Sequence, residues 1–247
     1  MTPWERSAEK RFAFHDSVMA FLILALALLP FLAKGATLWL GVSGYLLQSL
    51  YKILQLAIPA IWRWRSGKHT WNILWPFSQG AACRETRLLA IVSGLGIGGT
   101  AIAAVKLASP LLHVDPAIIR AGLDARFVAT PATALGIVLF LSLLNAWVEE
   151  LHFRVWLDRE LSKRWGNTAG IVFSATAFGT MHVLIFWGLP GFTPVLLMLI
   201  ALGLAAAGVV WSFLVRLRRG GAVAAALSHI VADALFLSWG LLWLGYF

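Results

Sequence analysis

ATALGIVLFLSLLNAWVEELHFRVW, residues 132–156, is the stretch that decides the fold. It opens as an apolar run and ends with two adjacent acids, a histidine and an arginine, with no turn signal between them. A helix needs about 20 mostly apolar residues to cross a bilayer, whereas a strand is usually far shorter. Residues 132–156 therefore read as a transmembrane helix that carries Glu149, Glu150 and Arg154. Ionisable groups are expensive in that layer, so each one is a functional candidate.

Working outward, comparable apolar segments occur at 18–33, 36–62, 88–107, 169–188, 193–215 and 222–247, which makes seven candidate spans. An outer-membrane barrel would show short alternating segments instead. Composition agrees: 60% of residues are hydrophobic, only 13% are charged, and the mean hydropathy is +0.81. A soluble domain carries about 25% charged residues. An ordinary soluble enzyme and a disordered chain are excluded. The single cysteine, Cys83, excludes a disulfide scaffold and a multi-Cys zinc site. The expected fold class is all-α, a polytopic transmembrane helical bundle of about seven spans. Gly94, Gly96, Gly98 and Gly99 suit close helix packing, and the 13 Trp suit interfacial belts.

The formal charge of +9 would suggest nucleic acid in a soluble protein. In a membrane protein it belongs to cytoplasmic loops and anionic headgroups, so the expected partner is the bilayer, with no nucleic acid. With the N-terminus inside, 14 Lys and Arg fall in inside segments and four (Lys34, Lys106, Arg120, Arg126) outside. The C-terminus is then outside, and 63–87 is a cytoplasmic interfacial segment. Ala33-Lys34-Gly35 loosely resembles a signal cleavage site, but Glu5 and Glu9 in a long leading segment favour retention of the first span.

Only three acids, Glu149, Glu150 and Asp233, fall within spans, together with His182 and His229. His152 lies near the end of one. Glu150 and Arg154 are i,i+4 and can satisfy each other. Glu149 points about 100° away and is expected to be the unpaired carboxylate. Asn145 is one turn earlier on its face. Phe178 and His182 share the i,i+4 spacing, as do His229 and Asp233. Such a set can activate water with a carboxylate and steady an oxyanion with an imidazole. It can also hold a metal, or simply tie helices together. Gly41-Val42-Ser43-Gly44 matches a Gly-x-Ser-Gly serine motif, but no base is placed by it, and packing by small residues explains it. Lys52 and Gln55 can line a transport path, although no internal duplication supports transport.

WVEELHFRVW, FGTMH and SHIVAD contain Glu-Glu-x-x-x-Arg, Phe-x-x-x-His and His-x-x-x-Asp. In that order, on three hydrophobic segments, they resemble the CPBP family of intramembrane proteases, which includes CAAX prenyl endopeptidases and bacterial bacteriocin-processing or self-immunity proteins. The resemblance covers about residues 132–240. It divides the chain into N-terminal spans with a cytoplasmic loop, 1–131, and a catalytic membrane core, 132–247. It implies an endopeptidase acting on a membrane-associated protein or peptide. The depths of Glu149 and His229 from the cytoplasmic ends of their spans put the expected cavity facing the cytoplasm, and a bacterial inner membrane is the expected location. Glu149 would be the general base, with His182 activating the water and His229 stabilising the oxyanion. Glu150 and Arg154 would support the site beside Phe178 and Asn145. Asp233 stands where the family usually has Asn, and an ionised Asp accepts hydrogen bonds where Asn also donates. A metal-free glutamate mechanism is expected, because the chain has no His-Glu-x-x-His helix. The metallo alternative is zinc on Glu149, His182 and His229. The alternative function is a non-catalytic immunity or scaffold protein, or a transporter, on the same bundle.

Overall fold

The computed structural model describes residues 19, 21–29, 32, 44–65, 83–127, 130–217 and 220–247. The first three residues of the Gly41–Gly44 motif and most of the 63–87 segment lie outside these, as do Arg218 and Arg219. All the regular structure among the described residues is helical. After a helical stretch at 21–29 come α1 (Gly44–Arg65), α2 (Arg84–Leu111), α3 (Pro116–Phe127), α4 (Pro131–Trp165), α5 (Asn167–Phe186), α6 (Pro194–Val215) and α7 (Gly221–Trp243).

Five of these, α2 and α4 to α7, are long and apolar enough to cross a membrane. The expected seven spans are not reached among the described residues. The 18–33 candidate is described only in part. The 36–62 candidate gives α1, whose Lys52, Gln48, Gln55, Arg63 and Arg65 dilute its apolar character. Conversely, α3 occupies a segment read as an outside connection. It anchors the C-terminus: Arg120 donates to the carbonyls of Leu244 and Gly245, and the Tyr246 hydroxyl donates to Asp124 Oδ1 at 2.5 Å. Burial and the Asp124 carboxylate push the Tyr246 phenol up to about 12.

Local sequence explains the helix limits. Thr130 caps α4 in a reciprocal box with Thr133, and Pro131 fills the first turn, where its missing N–H costs nothing. At α6, Thr193 accepts from the Leu196 N–H and Pro194 again fills the first turn, without the reciprocal bond. Gly166, at φ 86°, breaks the chain between α4 and α5 in a conformation that L side chains avoid. At 35 residues, α4 is about 52 Å long at 1.5 Å per residue, so it outruns the hydrocarbon layer. The span expected from sequence is 132–156, with Arg159, Lys163 and Arg164 in an inside segment, whereas the helix runs on to Trp165.

Packing uses the glycines selectively. A Cβ on Gly94 would stand 2.5 Å from the Ser228 carbonyl, and one on Gly98 would stand 3.0 Å from that of Ala232, so α2 and α7 meet backbone to backbone. Gly96 and Gly99 face open space and take no part. Gly179 does the same work between α5 and α6, where a Cβ would stand 2.2 Å from the Ala201 carbonyl. Large apolar side chains such as Leu88, Val92, Leu144, Leu202 and Phe213 cover the outside. The polar residues are inside: Lys52, Gln55, Asn145, Glu149, Glu150, His152, Arg154, Asp158 and His229 are all buried. This inversion suits a lipid solvent.

Candidate active site

The helix that carries the acids is not uniform. In α4 two π-helical stretches, Phe140–Asn145 and Leu151–Asp158, flank one short α-helical turn, Ala146–Glu150. π segments are rare and concentrate at functional sites. Ser174 of α5 donates to the Phe153 carbonyl at 2.6 Å, satisfying a backbone group inside the second π stretch. Glu149 and Glu150 thus sit in a regular turn held between two distorted ones.

Both carboxylates are 2% exposed. Glu149 is not the unpaired acid expected from helix geometry. Lys52 of α1 donates to its Oε1 at 2.8 Å. The partner comes from 97 positions earlier, which local spacing cannot anticipate. Lys52 also donates to Gln55 Oε1 at 2.8 Å, Gln55 Nε2 donates to Tyr51 Oη at 2.7 Å, and the Gln55 carbonyl accepts from His152 Nδ1 at 3.1 Å. Glu149 Oε2 makes no hydrogen bond among the described residues and faces His229 Nε2 at 3.9 Å.

Glu150 is held differently. His229 Nδ1 bonds its Oε1 at 2.9 Å. Arg154 stands 3.7 Å from the same oxygen, so the expected i,i+4 pair is present as an ion pair without a hydrogen bond. The Arg154 guanidinium instead lies 4.3 Å from the Phe178 ring centroid and 5.2 Å from that of Trp211, as cations do over aromatic faces. Gly208 gives it room, since a Cβ there would stand 2.7 Å from Nη2.

His229 is the hub of the cluster. Its ring stacks on Trp211, with centroids 3.9 Å apart and planes 15° from parallel. Trp211 Nε1 donates to Ser228 Oγ, which also contacts Ser93 Oγ. Asp233 Oδ2 lies 3.5 Å from His229 Nε2. His182 is half-buried, donates through Nδ1 to the Phe178 carbonyl at 2.9 Å, and with His229 is close enough to Glu149 to act on its charge. Glu149, Glu150, Arg154, Phe178, His182, His229 and Asp233 therefore share one neighbourhood. Asn145 is buried one turn away, with no hydrogen-bond partner for Oδ1 among the described residues.

The sequence reading missed two contributors. Lys52 was weighed only as a transport residue. The signal was there in the charge balance, since Lys52 and Arg154 are the two cations read within spans, against three acids. Trp211 carried no signal, being one of 13 Trp. Among the described residues no three His, Cys, Asp or Glu side chains are grouped as metal ligands. The Lys52 ammonium is bonded to one Glu149 oxygen, Oε1. The surface hollow lined by Gly122, Leu189 and Pro190 carries no titratable group.

Residues 131–235 match the model of the Rce1-like family, type II CAAX prenyl endopeptidase. The match runs from the start of α4 into α7, includes all three motifs, and agrees with the CPBP resemblance they carry. No curated protein and no solved structure matches the chain. With five apolar helices, the match supports an integral, multi-pass intramembrane endopeptidase of the CAAX type, acting on a membrane-associated protein or peptide.

Proposed function

We propose that this chain, Rce1-like over residues 131–235, cleaves its substrate by attack of a water activated by Glu149. The observation that carries the reading is the division of labour between the two Glu149 oxygens. Oε1 is bonded to Lys52, while Oε2 has no hydrogen bond among the described residues and is directed towards His229. A carboxylate anchored at one oxygen presents the other in a fixed direction, which is what a general base needs.

In this mechanism Glu149 Oε2 takes a proton from water as the water oxygen bonds to the scissile carbonyl carbon. His182 orients that water. The carbonyl oxygen gains negative charge, and His229 Nε2 donates to it. Because Nδ1 is held by the Glu150 carboxylate, it carries a proton, so Nε2 donates only from the doubly protonated ring. Glu149, Glu150 and Asp233 surround that ring and compensate its charge. Collapse of the tetrahedral intermediate breaks the C–N bond, and the proton held by Glu149 passes to the leaving amine. The site opens towards the cytoplasm of a bacterial inner membrane in this reading.

The test is cleavage of a fluorogenic peptide bearing a prenylated cysteine four residues from its C-terminus, by protein in detergent. Glu149→Gln abolishes cleavage while the protein stays folded. Strong chelators leave wild-type activity intact; loss on chelation with rescue by zinc overturns the glutamate mechanism. Asp233→Asn retains or raises activity if Asp233 acts protonated, as an oxyanion donor. It lowers activity severely if Asp233 holds His229 as a carboxylate.

A further inference from the structure

Lys52 lies outside the matched segment 131–235, on a helix with none of the three motifs, yet its ammonium is 2.8 Å from the first motif acid. It is 9% exposed, and its ammonium lies over the Tyr51 ring, with Nζ 4.6 Å from the centroid. It is not loosely placed. Gln55 Oε1 takes a second donor of the same ammonium, Tyr51 Oη holds the Gln55 amide, and His152 Nδ1 holds the Gln55 backbone. Every link in that chain fixes the orientation of the next, and the chain ends on Glu149 Oε1.

We infer that Lys52 is a positioning residue of the active site, acting through Glu149; this rests on the reading of Glu149 as the base. Two physical effects follow from the geometry. The bond to Oε1 restricts rotation of the carboxyl group, so Oε2 stays aimed towards His229. A misplacement of about 1 Å in a reacting group can cost about 100-fold in rate. The ammonium also compensates a charge buried among apolar helices. Without it, a buried carboxylate is relieved by taking up a proton, and a carboxylic acid is no base. The N-terminal helices thus supply a working part of the site.

The test compares Lys52→Met and Lys52→Arg with wild type on the prenylated fluorogenic peptide, in detergent, alongside thermal unfolding. Lys52→Met lowers kcat about 100-fold and leaves KM within about twofold, because orientation of the base is lost and substrate contacts are not. Lys52→Arg, which keeps charge and donors, recovers most of the lost rate. Lys52→Met also lowers Tm, and adding Glu149→Gln restores it, since the double variant leaves no buried charge unpaired. If Lys52→Met alone does not fold, the double variant still does. Wild-type kcat in Lys52→Met, a rise in KM in place of the fall in kcat, an Arg variant as slow as the Met variant, or simply additive Tm losses each overturn the role of Lys52. Cleavage by Glu149→Gln at the wild-type rate overturns the reading of Glu149 itself, and is a separate result.

Discussion

Two ionic clusters lie on α4 within about three turns of each other, and they differ in how completely they are closed. At the far end, both oxygens of Asp158 are taken by Arg216, the residue that follows α6, at 2.7 and 2.6 Å, and Ser162 adds a third donor at 3.0 Å. Arg216 spends its remaining capacity on the Ser212 carbonyl and Ser162 Oγ. Among the described residues, both carboxylate oxygens of that cluster are taken. In the middle of the helix, Glu149 Oε2, Glu150 Oε2, Asn145 Oδ1 and all three Arg154 nitrogens lack hydrogen-bond partners among the described residues. Burying polar atoms unsatisfied is costly, and folds rarely tolerate it without a use. The closed cluster has the character of a clamp joining α4 to α6; the open one has the character of a site.

The largest expected effect lies in the open cluster. Glu149→Gln keeps the shape and reduces cleavage per folded molecule about 1,000-fold, within the range general-base catalysis supplies, and it lowers Tm as well because it strands the buried Lys52 ammonium. Measuring rate and Tm on one preparation checks both halves of that statement. A variant that unfolds while the folded fraction still cleaves breaks the distinction between clamp and site.

Asp158→Asn should behave differently. Arg216, whose side chain is partly exposed, loses its counter-ion, and the weakened charged hydrogen bonds cost about 2 kcal/mol, read as a fall in Tm, while kcat per folded molecule is unchanged. A fall in kcat with unchanged Tm would move Asp158 into the site.

Gly208→Ala sharpens the comparison at the boundary. The new Cβ would stand 2.7 Å from Arg154 Nη2 and 3.2 Å from the Ala175 Cα, so the guanidinium must shift. Overpacking of this kind costs about 1–3 kcal/mol, seen in thermal unfolding. Unchanged stability would mean that Arg154 has other room to occupy.

The smallest effect is expected for Trp211→Phe. It keeps an aromatic face against His229 but loses the Nε1 donor to Ser228, worth about 1 kcal/mol. Trp211→Leu removes the face as well, and lowers kcat further than the Phe variant does. Equal rates in the two would show that stacking does not position His229.

Much of this molecule was legible in one dimension. The membrane-spanning character of α2 and α4 to α7 follows from apolar length, which is a local property. Glu149, Glu150, Arg154, His182, His229 and Asp233 stand out because each interrupts an apolar run, and the cost of a charge in lipid makes such interruptions conspicuous. The i,i+4 spacings correctly put Asp233 beside His229 and Phe178 beside His182, since helix geometry alone sets those contacts.

What only the tertiary structure decided is how those groups are paired. Lys52 reaches Glu149 across 97 positions, Glu150 meets His229 across 79, and Asp158 meets Arg216 across 58. None of these follows from periodicity, because each depends on which faces of separate helices meet and at what height. The same holds for the π stretches in α4, where α5 contributes Ser174 to a backbone carbonyl, and for Trp211, which gains its meaning only from the ring stacked against it. Apolar length and spacing are properties of a segment, whereas the partner of a buried charge is a property of the packing, because a charge in a low-dielectric interior is stabilised by whatever counter-charge the fold brings within reach.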